Sequence, residues 1–554
     1  MATQKRQKKA KSRKYIFVVG GVMSGVGKGV ATSSIATILK ARGLRVTAMK
    51  IDPYVNVDAG TMNPTEHGEV FVLQGGLETD QDMGNYERFL NTDIPDLNYM
   101  TTGSVYQSVI RKERNLEYGG RNVQVVPDIP LEAIRRIKKA AEHADADVTL
   151  IEIGGTVGEY ENILFIEAVR MMRSEYPGDI AVVMVSYLPV PGSIGEMKTK
   201  PTQHAARTLN TTGVTADFIL ARAPVALDKK RKEKIALFCN VQPENVISAP
   251  DVESVYDVPV NFEKHKLSER LCKKLGLPCK KAGDLVAWKN FVRRSKKGAG
   301  TVKIAMVGKY FNSGEFVLSD VYLSVIEALK YSAYMLGLSP EIHYVSSVDF
   351  ENGTKQLSEL KDYDGVLIPG GFGTTGIAGK LKVIGYVRKQ RIPYFGICYG
   401  MQLAVLEYAT NVARLKDAST AEINPAARHL VIDVMPDQKE KIAQNDMGGT
   451  MRLGEYPATL KRGSIAARAY KAEKISERHR HRYEVNNEYR ERLEEKGLVF
   501  SGTSPNGKLV EIMELPQEVH PFFVGVQFHP EFHARPLDPH PLFTAFVKAA
   551  YEKK

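Results

Sequence analysis

Two stretches, "KYIFVVGG" (14–21) and "TVKIAMVGKY" (301–310), constrain the fold of this chain more than any other feature. Each is a short β-branched run with glycine at its end, followed by a loop and a helical pattern, which is how an α/β domain begins. The 554 residues and 43% hydrophobic content supply enough apolar material for more than one core. Strand-like and helix-like segments alternate through both halves, so the expected class is α/β, as two domains with mainly parallel sheets. Between them "WKNFVRRSKKGAG" (288–300) is basic, then glycine-rich, with no clear period, as in a linker. The expected division is a basic disordered tail over 1–14, a first domain over 15–285, a linker over 286–300 and a second domain over 301–554. No internal repeat is visible.

The net charge of +12 points first towards nucleic acid, but seven Lys or Arg fall in "MATQKRQKKAKSRK", with no acid among them. That segment reads as a solvated arm, and the small excess left over the body gives no sign of a nucleic-acid partner. Four cysteines, Cys239, Cys272, Cys279 and Cys398, are too few for a disulfide framework. Cys272 and Cys279 are too far apart for a CxxC knuckle. With a polar, basic start in place of a secretory leader, the expected compartment is the reducing cytoplasm. No apolar run approaches the length of a membrane span.

Cys398 stands apart from the other thiols. "IPYFGI" reads as a buried strand and "MQLAVLEY" as a helix, and the G-x-C-x-G between them has glycines at 396 and 400. This is the nucleophile-elbow pattern with cysteine in place of serine: flanking glycines permit a sharp turn, and a helix N-terminus behind the sulfur favours the thiolate. "VGVQFHPEF" (524–532) offers His529 as base, with Glu531 two residues on and so on the same side of an extended segment. "LIPGGFG" (367–373) is a strand running into a glycine-rich turn whose amides, with that of Tyr399, could hold an oxyanion. Each part alone has an ordinary structural reading; three in strand-end contexts of one domain are hard to ascribe to chance. PGGFG, GICxGMQ and FHPEF together resemble the triad glutamine amidotransferase family over roughly 301–554. The resemblance implies glutamine hydrolysis to glutamate and ammonia through a glutamyl thioester. Cys398 would be nucleophile, His529 general base and acid, and Glu531 its orienter.

Released ammonia needs a consumer, and the first half has the features of one. "VVGGVMSGVGKGVATSSIATILKARG" (18–43) is a strand, a glycine-rich loop and a helix carrying Lys28, the layout of a phosphate-cradling loop. It departs from a strict Walker A, with Val22 six before the lysine and Gly29 after it. "VTAMKIDPYVN" (46–56) puts Lys50 near the next strand end, where open α/β sheets bind ligands. "LETDQDMGNYERF" (77–89) offers Asp80 and Asp82, of which Asp80 reads better as a surface carboxylate. "VTLIEIGGTVGEYE" (148–161) is a buried strand ending at Glu152, a carboxylate placed to suit Mg²⁺ beside a phosphate loop.

With "MKIDPY.N.D.GTM.P..HGEVFV", "GEMKTKPTQH", "KIALFCNV" and "ERHRHRYEVNN", nearly the whole chain beyond the tail resembles the CTP synthase family. The resemblance implies ATP-dependent amination of UTP to CTP: ATP phosphorylates the uracil 4-oxygen and ammonia displaces the phosphate. It implies a P-loop-like amidoligase domain followed by the amidotransferase domain. By matched position, Gly25, Val26, Gly27, Lys28, Gly29, Val30, Lys50 and Asp82 would bind ATP, with Asp82 and Glu152 holding Mg²⁺. Ser24, Lys198, Thr199, Lys200, Pro201, Thr202, Gln203 and Lys234 would bind UTP, and Glu159, Tyr160 and Glu161 belong to the stretch associated with CTP as feedback inhibitor. Glutamine would meet Gly371, Tyr399, Gly400, Met401, Gln402, Glu422 and Arg482. A homotetramer is implied as well, with filaments left open and GTP as an allosteric activator.

Three positions depart from the family pattern. Tyr399 stands where leucine is usual, altering the expected rim of the glutamine pocket. Asn85 replaces a usual histidine. Thr375 replaces an arginine linked with GTP activation, which puts that regulation in doubt unless a nearby cation such as Lys380 substitutes. Two other readings fit the residues less well. A glutamine-dependent, ATP-using synthetase of the cobyric acid type fits "KTKPTQH" poorly, and a non-catalytic assembly protein would have no use for acid, lysine and thiol candidates in both halves.

Overall fold

A computed structural model describes residues 13–192, 195–278, 285–309, 319–371, 373–435, 438, 441 and 448–553. Most of the basic tail and Cys279 lie outside the described residues. The chain forms two compact units, Met1–Val57 with Asn85–Lys289, and Asp58–Gly84 with Asn290–Lys554.

Strands β1 (Lys14–Gly21) and β2 (Val46–Asp52) are followed by a short hairpin, β3 (Val70–Val72) and β4 (Glu78–Asp80). Then come β5 (Tyr99–Thr101), β6 (Val148–Ile153), β7 (Ile180–Tyr187), β8 (Phe218–Ala223) and β9 (Val246–Pro250). Among the described residues the first unit has one seven-stranded sheet, ordered β5-β2-β6-β1-β7-β8-β9. Every pairing in it is parallel. The strands read as continuous apolar runs because both faces are covered; β1 and β6 are buried along almost their whole length. Lys14, counted by the sequence both in the tail and as the start of the first strand, opens β1 and pairs with Asp179 at 2.5 Å.

In the second unit, the parallel part comprises β10 (Gly300–Gly308), β11 (Leu338–Ser346), β12 (Gly365–Ile368) and β13 (Tyr394–Ile397). A small sheet holds β14 (Ala418–Thr420), β15 (His429–Val434) and β18 (Tyr483–Val485). The main sheet is completed by β16 (Arg452–Leu460), β17 (Lys474–His481), β19 (Val499–Thr503), β20 (Val510–Glu514) and β21 (Phe523–Val526). Its order is β11-β10-β12-β13-β21-β20-β19-β16-β17. Parallel pairing runs from β11 to β21, and antiparallel pairing takes over from β21 to β17. The mainly parallel expectation thus describes the first sheet throughout and the second only on the side that carries Cys398. Sequence shows strands but not pairing direction when the connections are long.

The expected linker is partly helical, over Val286–Ser295. Basic residues hide its period, yet Trp288 packs by Phe89 and Tyr256, and Phe291 by Tyr331 and Tyr334.

Candidate functional site

Cys398 joins β13 to the helix Tyr399–Asn411, with φ 48 and ψ −100. A non-glycine residue held there stores about 1–3 kcal/mol of strain, which surrounding structure must offset. The flanking glycines serve packing rather than φ. A Cβ at Gly400 would lie 2.3 Å from Ile368 O, and one at Gly396 2.8 Å from Gly400 C. They let the helix N-terminus close onto β12, while the sharp turn is taken by Cys398 itself, whose N–H donates to Val526 O at 2.6 Å.

His529 follows β21, with its Nδ1 2.7 Å from Glu531 Oε1 and its ring stacked on Phe532. Burial disfavours the charged imidazole, but Glu531 and Cys398 beside it outweigh burial and raise its pKa to about 10. The glycine turn after β12 packs on both groups: a Cβ at Gly370 would be 2.8 Å from the His529 ring and 3.7 Å from Cys398 Cβ. Tyr399 is the first residue of its helix, where an amide has no intrahelical acceptor. A cavity of about 70 Å³ opens on Cys398, His529 and Glu531, walled by Gly370, Gly371, Glu69 and Arg480. The arrangement sets a thiol, an imidazole and the helix-start amide of Tyr399 around one small space, as acyl transfer requires.

Around that turn, Gly373 N–H donates to Glu422 at 2.7 Å and the Tyr399 hydroxyl to Gly373 O at 3.3 Å. Burial raises the Glu422 pKa against the pull of Gly373, Lys309 and Lys380. The structure therefore gathers Gly371, Tyr399 and Glu422. Met401 is buried against Gly525, and Gln402 donates to Tyr483 O at 3.0 Å and Gln527 at 3.2 Å, so both side chains face the fold. Arg482 donates to Gln438 at 2.9 Å and Thr450 at 3.0 Å. Gln527, with Nε2 3.6 Å from Cys398 Sγ, was not singled out by the sequence.

In the first unit the candidates collect at the carboxyl ends of the central strands, where ligands of open α/β sheets bind. The loop after β1 has Val22, Gly25 and Gly27 at φ 82, 68 and 86. Ser24 and Gly25 are exposed, Val26 is buried, and Lys28, Gly29 and Val30 form the first turn of the helix Lys28–Ala41. Lys28 Nζ donates to Gly155 O at 2.9 Å. Lys50 Nζ lies 2.9 Å from Glu152 and 3.6 Å from Asp52, and Tyr86 donates to the other Glu152 oxygen. Asp52 is a third strand-end acid that the sequence reading passed over, although "KID" ends β2. Asp82, whose N–H points to Asp80 at 3.4 Å, groups with the second unit. Among the described residues no three His, Cys, Asp or Glu side chains cluster as a complete metal cage.

Thr199 caps the helix Lys200–Thr211, with Pro201 in its first turn, and accepts from Gln203 at 3.1 Å. Thr202 accepts from Ser186 at 2.8 Å, and Lys198 pairs with Glu196 at 2.8 Å. Lys234 is exposed on the helix Lys229–Cys239, from which Arg231 reaches Met197 O at 3.3 Å. Glu159 accepts from Thr156 N–H at 2.7 Å, and Tyr160 and Glu161 are exposed. Beside Gly27 and Val30 lies a cavity of about 230 Å³ lined by Leu220, Pro250, Val252 and Phe262. At its mouth Arg222 pairs with Asp251 at 2.6 Å and donates to Val26 O at 3.1 Å. These residues come from β8, from the end of β9 and the turn after it, and from the helix Asp257–Lys264, and only the fold brings them to the glycine loop.

Among the described residues no helix is long and apolar enough to cross a membrane. Residues 14–277 match the family model described as CTP synthase N-terminus, and residues 317–549 match glutamine amidotransferase class-I. A CTP synthase of Halalkalibacterium halodurans is 47% identical over 543 residues, covering 98% of this chain and 99% of its own. One of Symbiobacterium thermophilum is 49% identical over 544 residues, covering 97% and 98%. Among solved structures, the chain is similar to the glutaminase domain of a Trypanosoma brucei CTPS with bound acivicin. That likeness is 38% identical, covers 46% of this chain and 95% of that one, and has a TM-score of 0.42.

Proposed function

The chain belongs to the CTP synthase family, whose reaction is the glutamine-dependent conversion of UTP to CTP, and we propose how its residues divide that work. The observation that carries the reading is the thiol centre: Cys398 on a strained turn, His529 paired with Glu531, and the Gly370–Gly371 turn against both. Cys398 attacks the glutamine amide carbon as the thiolate, its proton carried by His529, while the amides of Tyr399 and Gly371 receive the oxyanion. His529, held protonated by Glu531 and the sulfur, gives its proton to the departing ammonia and then takes one from the water that releases glutamate. Glu422 and Arg482 bind the charged end of glutamine, with the backbone of Tyr399–Gln402 beside it.

In the first unit the loop Gly25–Val30 with Lys28 binds the ATP phosphates, and the 230 Å³ apolar cavity between Arg222 and Phe262 takes the adenine. UTP lies along Ser24, Lys198–Gln203 and Lys234. Phosphorylation of the uracil 4-oxygen converts a poor leaving group into a good one. Lys50 steadies the transferring phosphoryl group, and ammonia then displaces the phosphate. Glu152 and Asp52 would supply hard carboxylate oxygens of the kind Mg²⁺ takes alongside phosphate oxygens, and Asp82 is added to them by the family resemblance alone. A Mg²⁺ ion held there would supply charge neutralisation for the transferring phosphoryl group. A cytoplasmic homotetramer, CTP inhibition at Glu159–Glu161 and GTP activation belong to the same proposal, supported by family membership alone.

The test is Cys398→Ala, followed by the ultraviolet change as UTP becomes CTP. Glutamine-supported synthesis is expected to vanish and ammonia-supported synthesis to persist. Equal loss with both donors overturns the division.

A further inference from the structure

β17 is the edge strand of the nine-stranded sheet, hydrogen-bonded there to β16. An edge strand leaves a row of backbone groups unpaired on its outer side. Here two of those carbonyls hold the thiol centre. Arg478 O accepts the His529 N–H at 2.7 Å, and Arg480 O lies 3.8 Å from Cys398 Sγ, within reach of the thiol. Whatever fixes the lateral position of β17 therefore fixes the nucleophile and its base.

The side chains of the same two arginines reach into the hairpin β3–β4. Arg478, fully buried, donates to Val72 O at 3.1 Å and lies over the Phe71 ring. Arg480 donates through Nε to Glu78 Oε1 at 2.8 Å. Glu78 is 1% exposed, and its own carbonyl accepts from Ala59 N–H at 3.1 Å. Gly60 leaves room for it: a Cβ there would lie 2.1 Å from Glu78 Oε2. The hairpin is anchored at both ends within the second unit. Glu69 accepts from Ser324 N–H, Phe71 meets Phe532 edge-on at 4.9 Å, and Glu455 N–H donates to Gln74 O at 3.0 Å.

We propose that Glu78, acting through Arg480, is a positioning residue for the Cys398 thiol, so that a residue within the synthase-family region sets the rate of glutamine hydrolysis. A charge-assisted bond to a buried carboxylate is strong and directional, and the carbonyl that meets the sulfur belongs to the arginine so held. The inference rests on the reading of Cys398 as the glutamine nucleophile. It goes beyond that reading in assigning Glu78 to the second unit's chemistry and to none of the first's.

The experiment uses the full chain with Glu78→Gln and Glu78→Ala, and Cys398→Ala alongside. The expected result is a fall of about tenfold or more in glutamine-supported kcat, since small misplacements of reacting groups are costly. KM for glutamine and ammonia-supported synthesis stay within about twofold, while the rate of Cys398 alkylation by iodoacetamide shifts severalfold. Glu78→Gln keeps the shape of the site if Glu78→Ala lowers the melting temperature too far for assay. A parallel loss of ammonia-supported synthesis, a rise in KM alone, or an unchanged alkylation rate overturns the proposal. Ammonia-supported synthesis lost in Cys398→Ala would instead overturn the reading beneath it.

Discussion

A lysine amine is driven towards its neutral form when it leaves water, and Lys380 is 1% exposed, with Nζ 5.3 Å from the centre of the Tyr399 ring. Burial and the neighbouring Lys309 lower its pKa against the pull of Glu422, to about 7. This answers two sequence-level expectations. Thr375 is exposed, so Lys380 is not on the surface to stand in for the missing arginine. Tyr399, expected to reshape the pocket rim, is instead 2% exposed and roofs the lysine from within. Because the folded pKa lies below the ordinary lysine value of about 10.4, the unfolded chain binds more protons between the two. The destabilisation by Lys380 is then complete below pH 7 and fades as pH rises to about 10. Lys380→Met is accordingly expected to stabilise the protein by about 2–4 kcal/mol at pH 6 and by much less near pH 10. Urea unfolding at both pH values checks this, and a gain that grows with pH rejects it. Cys398, His529 and Glu531 were legible because each sits in its own short strand-end pattern. The Lys380–Tyr399 contact was not, because it joins two helices whose packing no local spacing reveals.

At the scale of elements, the elbow and the phosphate loop look alike in sequence, each a strand, glycines and a helix, yet they solve different steric problems. In the elbow the glycines admit a helix to the neighbouring strand. Gly400→Ala would press a methyl carbon to 2.3 Å from Ile368 O, a contact only backbone movement relieves. It is expected to destabilise by about 2 kcal/mol or more and to reduce glutamine-supported synthesis while leaving ammonia-supported synthesis near normal. Melting temperature and the two rates measure both effects, and an unperturbed glutamine rate would show the close approach to be unnecessary. In the phosphate loop the departure from Walker A is geometric as well as chemical. Val22 adopts φ 82, a conformation that glycine takes freely and a β-branched residue resists. Val22→Gly should raise the unfolding free energy by up to about 1 kcal/mol, after the entropy glycine loses on folding. A fall in thermal stability would mean that the valine's contacts outweigh its strain. Sequence showed that residue 22 was unusual for the motif but not that the backbone keeps the motif's left-handed turn.

For the whole molecule, the two compact units do not follow chain order, since residues 58–84 leave the first unit's sequence and fold with the second. Nothing in their composition announces this, because the choice is made by tertiary partners such as Ser324, Arg478 and Arg480. Of the first unit's strand-end carboxylates Glu152 was legible, since it closes an apolar run, whereas its pairing with Lys50 required β2 beside β6. On the proposed reading the charge at Glu152 serves phosphoryl transfer, which both nitrogen donors need, and takes no part in making ammonia. Glu152→Gln is therefore expected to cut CTP formation about 100-fold with glutamine and with ammonia alike. It should leave glutamate release from glutamine within a few-fold of normal under the same conditions. Asp82→Asn is expected to lower synthesis with both donors in the same way. Assaying CTP by ultraviolet absorbance and glutamate separately distinguishes the half-reactions. Near-normal ammonia-supported rates in either variant would remove that residue from the phosphoryl site.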